Sequence, residues 1–220
     1  MIGCAKSELS LFDPQQFQTA IQKGTYIAYE SITSLDNTGP IEFTVPGTAE
    51  EYIDVNETML YIKVTIKNED RTNLANNADV MFANMPLSSL FADVQLYLNE
   101  QQISGGNQLY PYRAMISALL QTNVGTKNHQ LFTSGYVKET AGDLNDRALA
   151  SADVKKAWTA ESASREFCGP LHLDFLQQNR LLLSQVNMRI KLIRAQPSFC
   201  LLKVASVNPK KCCPGCKIVC

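Results

Sequence analysis

The 220-residue sequence is poor in histidine, a side chain that general-base catalysis and many metal centres use. It has only two histidines, His129 and His172. It also lacks a phosphate-binding glycine loop, a dinucleotide-binding fingerprint and a nucleophile elbow. These absences exclude the common enzyme patterns, so we predict no catalytic site and no cofactor site.

Strong net charge and long apolar runs are missing as well. The formal net charge is −1 and the calculated pI is near 6.1, which gives no global attraction to nucleic acid or anionic membranes. No stretch approaches the roughly 18 apolar residues of a membrane span. Residues 1–10 lack the apolar core of an export signal. We therefore expect no membrane partner, and a chain that is made inside the cell and not secreted.

Alternating apolar and polar residues dominate what is present. Residues 60–66, 90–98 and 186–192 each alternate with the period of two that is typical of half-buried strands. In the second segment, Asp93 and Gln95 are predicted to face outward. Shorter strands are predicted at 26–32, 41–45, 131–137, 171–175 and 199–204. About eight strands, each polar on one side, indicate antiparallel sheets packed face to face.

Two segments have helical spacing instead. Pro111 would suit a first helical turn. The apolar stripe that follows it consists of Tyr112, Met115, Ile116, Leu119 and Leu120. A shorter stripe at Val154, Ala157 and Trp158 follows Asp153, a candidate N-cap. We expect both helices in connections between strands, covering sheet edges or sandwich ends.

The strongest candidate for catalysis is the pair His172 and Asp174. On a strand they would share one face, as an oriented base and its carboxylate partner do in a triad. No serine or cysteine nucleophile is indicated, so we favour the alternative that both lie on the polar, solvent-facing side of a strand.

Three basic residues near the third strand, Arg189, Lys191 and Arg194, form a candidate nucleic-acid contact. Such a stripe could face packaged nucleic acid or an acidic neighbouring subunit. We favour a third alternative, a solvated strand face.

The end of the sequence carries the only metal-like motif. Cys213 and Cys216 have the two-residue spacing of a zinc knuckle, and Cys220 or Cys212 could add ligands. A second, well-spaced pair is missing, so we favour an irregular tail without metal.

Several segments, taken in order, resemble the hexon-like major capsid protein of Polinton (Maverick) elements and adintoviruses. They are KSELSLF at 6–12, GPIEF at 39–43, EYID at 51–54, LYIKV at 60–64, residues 88–99, YPYRA at 110–114, RIKL at 189–192 and FCL at 199–201. The resemblance implies a double jelly-roll protein that trimerises into pseudo-hexameric capsomers of a virion capsid.

The resemblance also implies partners and a domain organisation. The partners would be copies of this chain or full-length capsid homologues, with penton or minor capsid proteins as further candidates. We expect an N-terminal arm at 1–24, one jelly roll at 25–206 with helical insertions near 108–160, and a cysteine-rich irregular tail at 207–220. The sequence would then be a truncated subunit with two packed four-stranded sheets and an exposed apolar face for the second jelly roll.

A ligand- or carbohydrate-binding jelly roll is the alternative from another functional class. Such a module would present exposed aromatic residues on a concave sheet, and Tyr61 and Tyr97 are the outward candidates.

Overall fold

The structure is a computed structural model. It describes residues 21–35, 39–68, 70–76, 78–140, 150–203 and 209–219, and for most of the last stretch it describes the backbone alone. The strands are β1 (Ala28–Glu30), β2 (Ile41–Val45), β3 (Ile53–Asp54), β4 (Met59–Asn68), β5 (Val80–Phe82), β6 (Phe91–Leu98), β7 (Gln101–Ser104), β8 (Arg165–Pro170), β9 (Leu181–Leu182), β10 (Met188–Arg194), β11 (Leu201–Lys203) and β12 (Pro209–Val219). The helices are α1 (Pro86–Ser89), α2 (Tyr110–Gln121), α3 (Val124–Asn128), α4 (Ala150–Ala157) and α5 (Pro197–Cys200).

Two four-stranded antiparallel sheets form the body of the fold. One has the order β1-β12-β4-β8 and the other β2-β10-β6-β7. Along the chain, successive long strands switch between the two sheets, except at the β6–β7 hairpin, which is the connectivity of a jelly roll. The predicted all-β antiparallel sandwich with short helical insertions is therefore confirmed.

The alternating residues of the long strands build the core. Inward side chains that are at most 1% exposed are Ile41, Phe43, Val45, Leu60, Ile62, Val64, Ile66, Met188, Ile190 and Leu192. The predicted strands at 60–66, 41–45 and 186–192 thus match β4, β2 and β10. Burying such residues stabilises each by about 1.5–3 kcal/mol relative to exposure.

Asp93 is a correction to the predicted pattern of β6. We expected it to face solvent, but it is only 3% exposed. The backbone after β7 folds over this side of the sheet, and the amide of Gly106 donates to Asp93 Oδ2 at 2.6 Å. Gly105 allows this approach because its φ is +104° and any Cβ would lie 2.5 Å from the carbonyl oxygen of Val94.

Two of the shorter predicted strands are wrong. The segment 131–137 contains the 3-10 helix Gln130–Ser134, which Gly135 ends with a φ of +82°. The segment 171–175 runs into the 3-10 helix Asp174–Gln177. Short apolar runs do not distinguish strands from buried helical turns, which explains both errors.

Of the two predicted helices, the first matches α2 and the second is α4 with a different start. Asp153 was the expected N-cap, but it lies inside α4, in its first turn. The buried side of α4 carries Ala152 and Lys155, while Val154 is 38% exposed. Lys155 forms an ion pair with Glu139, and both side chains are largely buried, so this pair sets the rotation of the helix. None of the described helices is long and apolar enough to cross a membrane.

The largest correction to the predicted domain organisation concerns residues 207–220, which we expected to form an irregular tail. The backbone of residues 209–219 forms β12, which pairs with β4 on one side and β1 on the other. The register shifts between Cys212 and Gly215, and Ile218 is fully buried in the core. Proline and glycine are unfavourable inside strands, so Pro214 and Gly215 argued against a strand here. The backbone of β12 nevertheless pairs with that of β4 and satisfies its hydrogen-bonding groups. The jelly roll therefore extends past 206. Residues 1–20 of the predicted arm lie outside the described residues.

Candidate interaction surfaces

The pair His172 and Asp174 is not arranged as a catalytic site. No strand contains them, and the Asp174 side chain is 83% exposed and paired with Arg113. His172 is only 7% exposed, so the prediction of a solvent-facing histidine is wrong. Its Nδ1 lies 3.5 Å from Nε2 of Gln177.

His172 instead belongs to a buried cluster that holds the start of α2. The backbone amide of His172 donates to the Tyr110 hydroxyl at 3.4 Å. Burial raises the pKa of Tyr110 to about 12. Burial, with a smaller contribution from the Arg113 charge, lowers the pKa of His172 below its usual 6.5. A neutral imidazole and a neutral phenol fit a structural anchor.

Each cation of the basic stripe on β10 contacts an acceptor within the same chain. Arg189 lies 2.8 Å from Glu100 and 3.7 Å from Glu42, and Lys191 lies 3.4 Å from Glu42. Arg194 donates to the carbonyl of Leu35 at 2.8 Å. Because each of these cations already contacts an acceptor, we expect the outer face of β10 to attract phosphate less strongly than the sequence indicated. Nucleic-acid binding at Arg189, Lys191 and Arg194 stays a prediction.

Tyr61 and Tyr97 do not form one aromatic platform, because they lie on different sheets. The Arg189 guanidinium carbon lies 4.5 Å from the centre of the Tyr97 ring and covers one of its faces. Hydrogen bonds from Lys63 and Tyr61 hold the pKa of the Glu166 carboxyl below its usual value. Each tyrosine is thus engaged in contacts within its own sheet.

An open cavity of about 330 Å³ lies beside the start of β8. Its lining residues are Phe132, Trp158, Ser164, Arg165, Glu166 and Phe167. The Trp158 ring makes edge-to-face contacts with Phe132 and Phe167, both at 5.7 Å between centroids. The Arg165 guanidinium donates hydrogen bonds to the carbonyl oxygens of Ala157 and Trp158. The cavity is large enough for a small ring, and Phe132 on its wall is 50% exposed.

The metal motif at the end of the chain stays a prediction. Cys213 and Cys216 lie on β12, whose side chains there, like residue Cys220, lie outside the described part. Among the described residues there is no cluster of histidine, cysteine and carboxylate side chains that could hold a metal ion.

Among the described residues, one side of α2 exposes several large apolar side chains, and we call it the α2 outer face. It is formed by Tyr112, Ile116, Leu119 and Leu120, which are 56%, 56%, 43% and 80% exposed. Two apolar side chains next to α2 extend it. Val124, at the start of α3, is 67% exposed, and Phe199 on α5 stacks edge-to-face on Tyr112 at 5.7 Å between ring centroids.

The opposite side of α2 explains why this face points outward. Ala114 and Ala118 are at most 1% exposed and pack toward the sandwich. Ala118 joins Met85, Leu131 and Tyr136 in a small second core. Small residues let the helix approach closely on this side. Four of the five residues of the predicted stripe lie on the far side, whereas the fifth, Met115, packs against the second core. The sequence revealed the stripe but not which way it faces.

Comparison with known proteins gives a fold but no sequence family. No family model and no curated protein matches the chain. A chain of the Sputnik virophage, solved by cryo-EM, matches with 11% identity and a TM-score of 0.57, over all of this chain and 51% of its own length.

Two further solved structures give lower scores. The mavirus major capsid protein has 12% identity and a TM-score of 0.46, over all of this chain and 51% of its own. PBCV-1 VP54, fitted into a Sputnik reconstruction, has 14% identity and a TM-score of 0.49, over 92% of this chain and 44% of its own.

The chain thus spans about half the length of the structures it matches. Its jelly-roll fold is shared with the Sputnik virophage chain.

Proposed function

We propose that this chain is a structural capsid protein and not an enzyme, and that it supplies the first jelly roll of a double jelly-roll major capsid subunit. The observation that carries the proposal is the fold match to a Sputnik virophage chain, which extends over the whole of this chain and 51% of the other. The sequence resemblance refines it to the capsid protein of Polinton elements and adintoviruses, in a virion built of trimeric capsomers.

The surface chemistry supports a role in assembly. The buried His172 has no nucleophile among its described contacts and serves the packing of α2. By contrast, the α2 outer face leaves large apolar side chains in water, as surfaces that bind other proteins do. An assembled shell would cover such a face, whereas an isolated binding module or enzyme has no need of it.

Co-expression with a full-length adintovirus-type major capsid protein tests the proposal. We expect the 220-residue chain, carrying a small epitope tag, to enter purified particles and to appear in them by immunogold electron microscopy. An Ile190→Asp variant, which cannot keep its core, sets the background. Particles that never contain more of the intact chain than of this variant would contradict the proposal.

The cavity beside Trp158 favours one alternative, a module that binds carbohydrate or another small ligand. Trp158 is the only tryptophan in the sequence and lines the cavity, so its fluorescence reports occupancy directly. A glycan array followed by fluorescence titration distinguishes the two functions. The capsid proposal expects no saturable change, and a saturable change that Phe132→Ala abolishes would support the ligand-binding module.

A further inference from the structure

We infer that the free edge of β8 binds an extended peptide segment of a partner protein, which pairs antiparallel with Glu166 and places an apolar side chain in the cavity beside Trp158. The inference goes beyond the proposed function and does not rest on it, because a capsid protein and a ligand-binding module can both have such an edge. The occupant of the cavity is then part of a strand with an alternating sequence.

The first argument is the position of the cavity relative to β8. Four successive residues at the start of this strand, 164–167, line the cavity. Successive side chains of a strand point to opposite faces of the sheet, so no cavity on one face would touch all four through side chains alone. The cavity therefore runs along the edge of β8, beside its backbone.

The second argument is the direction of the backbone groups. In an antiparallel ladder, alternate residues turn both their N–H and their C=O away from the neighbouring strand. Pro170 has no N–H to give to β4, and the Cys168 carbonyl accepts a hydrogen bond from the Ser134 hydroxyl at 3.4 Å, outside the ladder. Both observations place residues 166, 168 and 170 in the outward-directed set. The N–H and C=O of Glu166 thus point toward the cavity, and the described residues supply no second strand beside β8.

The edge strand of the other sheet, β7, shows what a protected edge looks like in the same molecule. It has only four residues, its register with β6 shifts between Leu96 and Tyr97, and the side chains of Gln101 and Gln102 are exposed and polar. Short, irregular and polar edges discourage pairing with another chain. By contrast, β8 pairs with β4 over six residues without a register shift and has an aromatic cavity at its edge.

The third argument is the chemistry on the two sides of the β8 edge. On the inner side, Phe167 is buried, Phe132 is 50% exposed, and the Trp158 ring contacts both. On the outer side, the exposed Glu166 carboxylate pairs with Lys63 at 3.2 Å. A strand that pairs with Glu166 places its paired residue on this charged side and the two flanking residues on the aromatic side. The occupant is therefore apolar at the flanking positions and polar between them, as in recognition by strand addition.

Titration of the full 220-residue chain with a synthetic strand tests the inference. The probe is the blocked pentapeptide TFKFT, in which the central lysine pairs with Glu166 and a phenylalanine enters the cavity. We expect a saturable change in the fluorescence of Trp158, the only tryptophan in the sequence, and slower hydrogen exchange at the Glu166 amide. Phe132→Ala should weaken binding by about tenfold. The matched control, Tyr52→Ala, removes an aromatic ring of similar exposure, 59%, from β3's side of the fold and should leave the affinity unchanged.

Two modified peptides test the backbone pairing itself. N-methylation of the central lysine removes the donor to the Glu166 carbonyl and should weaken binding by about tenfold. N-methylation of the second phenylalanine changes an amide that points away from β8, so its affinity should stay that of TFKFT. No saturable binding of TFKFT across its soluble range, or equal binding after methylation of the lysine, would overturn the inference. Entry of the chain into capsid particles is measured without peptide and therefore tests the proposed function separately.

Discussion

Two surfaces of this molecule each appear in the sequence as a stripe of similar side chains. They differ in whether other residues of the fold contact those side chains. The outer face of β10 carries the basic stripe, and Arg189 and Lys191 both reach Glu42 of the neighbouring strand β2. The α2 outer face carries an apolar stripe that remains 43–80% exposed. The first stripe has partners within the chain. The second stays largely exposed among the described residues, apart from the contact of Phe199 with Tyr112. Function is therefore better sought where the fold leaves side chains without an internal partner.

The largest expected effect contrasts the two faces of β10. Ile190→Ala removes a fully buried side chain and should lower the free energy of unfolding by about 2–5 kcal/mol. Arg189→Ala, one residue away on the outer face, should cost about 0–1 kcal/mol, because its ion pairs are partly solvated. Urea denaturation measures both values. Equal losses would show that the basic stripe holds the sheet together.

The second effect makes the same contrast on α2. Ala118→Leu adds volume to the tightly packed inner side and should cost about 1–3 kcal/mol. Ile116→Ala on the outer face should change the stability of the monomer by no more than about 0.5 kcal/mol. Thermal unfolding at low protein concentration distinguishes the two. A large loss for Ile116→Ala under these conditions would mean that the outer face is packed within the chain.

The third effect removes a charge that pairs with the basic stripe of β10. Glu42→Gln removes the negative charge shared by Arg189 and Lys191, at a stability cost of about 0–1 kcal/mol. The more positive stripe should bind a DNA duplex at low salt, and fluorescence anisotropy should show this binding weaken steeply as salt rises. Glu50→Gln, at an exposed site outside the sheet, is the matched control. Strong binding by the unmodified chain would restore the nucleic-acid hypothesis.

The smallest effect concerns the anchor of α2. Burial lowers the pKa of His172, so the unfolded chain binds more protons than the folded one below pH 6.5. The stabilising neutral state is complete above that pH and is lost as the pH falls through the lower folded pKa. The melting temperature should therefore drop between pH 7 and 5 by more in the unmodified chain than in His172→Gln. An unchanged slope would mean that His172 is not buried as a neutral group.

The strand pattern was predictable wherever burial follows a strict period of two, as in β4 and β10. The same rule failed at Asp93, because a distant glycine pair covers the outer side of β6. It failed again at β12, since Pro214 and Gly215 interrupt the pattern while the backbone still pairs with β4. Both errors come from contacts outside the strand itself, with a segment 13 residues further on at Asp93 and with β4 at β12, which a local pattern does not contain.

The functional surface was predictable in composition but not in orientation. The spacing of Tyr112, Ile116 and Leu120 predicted a helix with an apolar stripe, and α2 has one. Whether that stripe faces the core depends on Ala114 and Ala118, whose small side chains allow the helix to lie close on its other side. An alanine pair opposite a stripe of larger residues is the signal that could have indicated an outward face.

The most direct measurement compares the two stripes before and after assembly. Carbene footprinting with mass spectrometry reports side-chain accessibility in the isolated chain and in particles that contain it. We predict strong protection of Ile116 and Leu120 on assembly, with little change at Arg189 and Lys191. Unchanged labelling of Ile116 and Leu120, together with protection of the β10 outer face, would contradict the account.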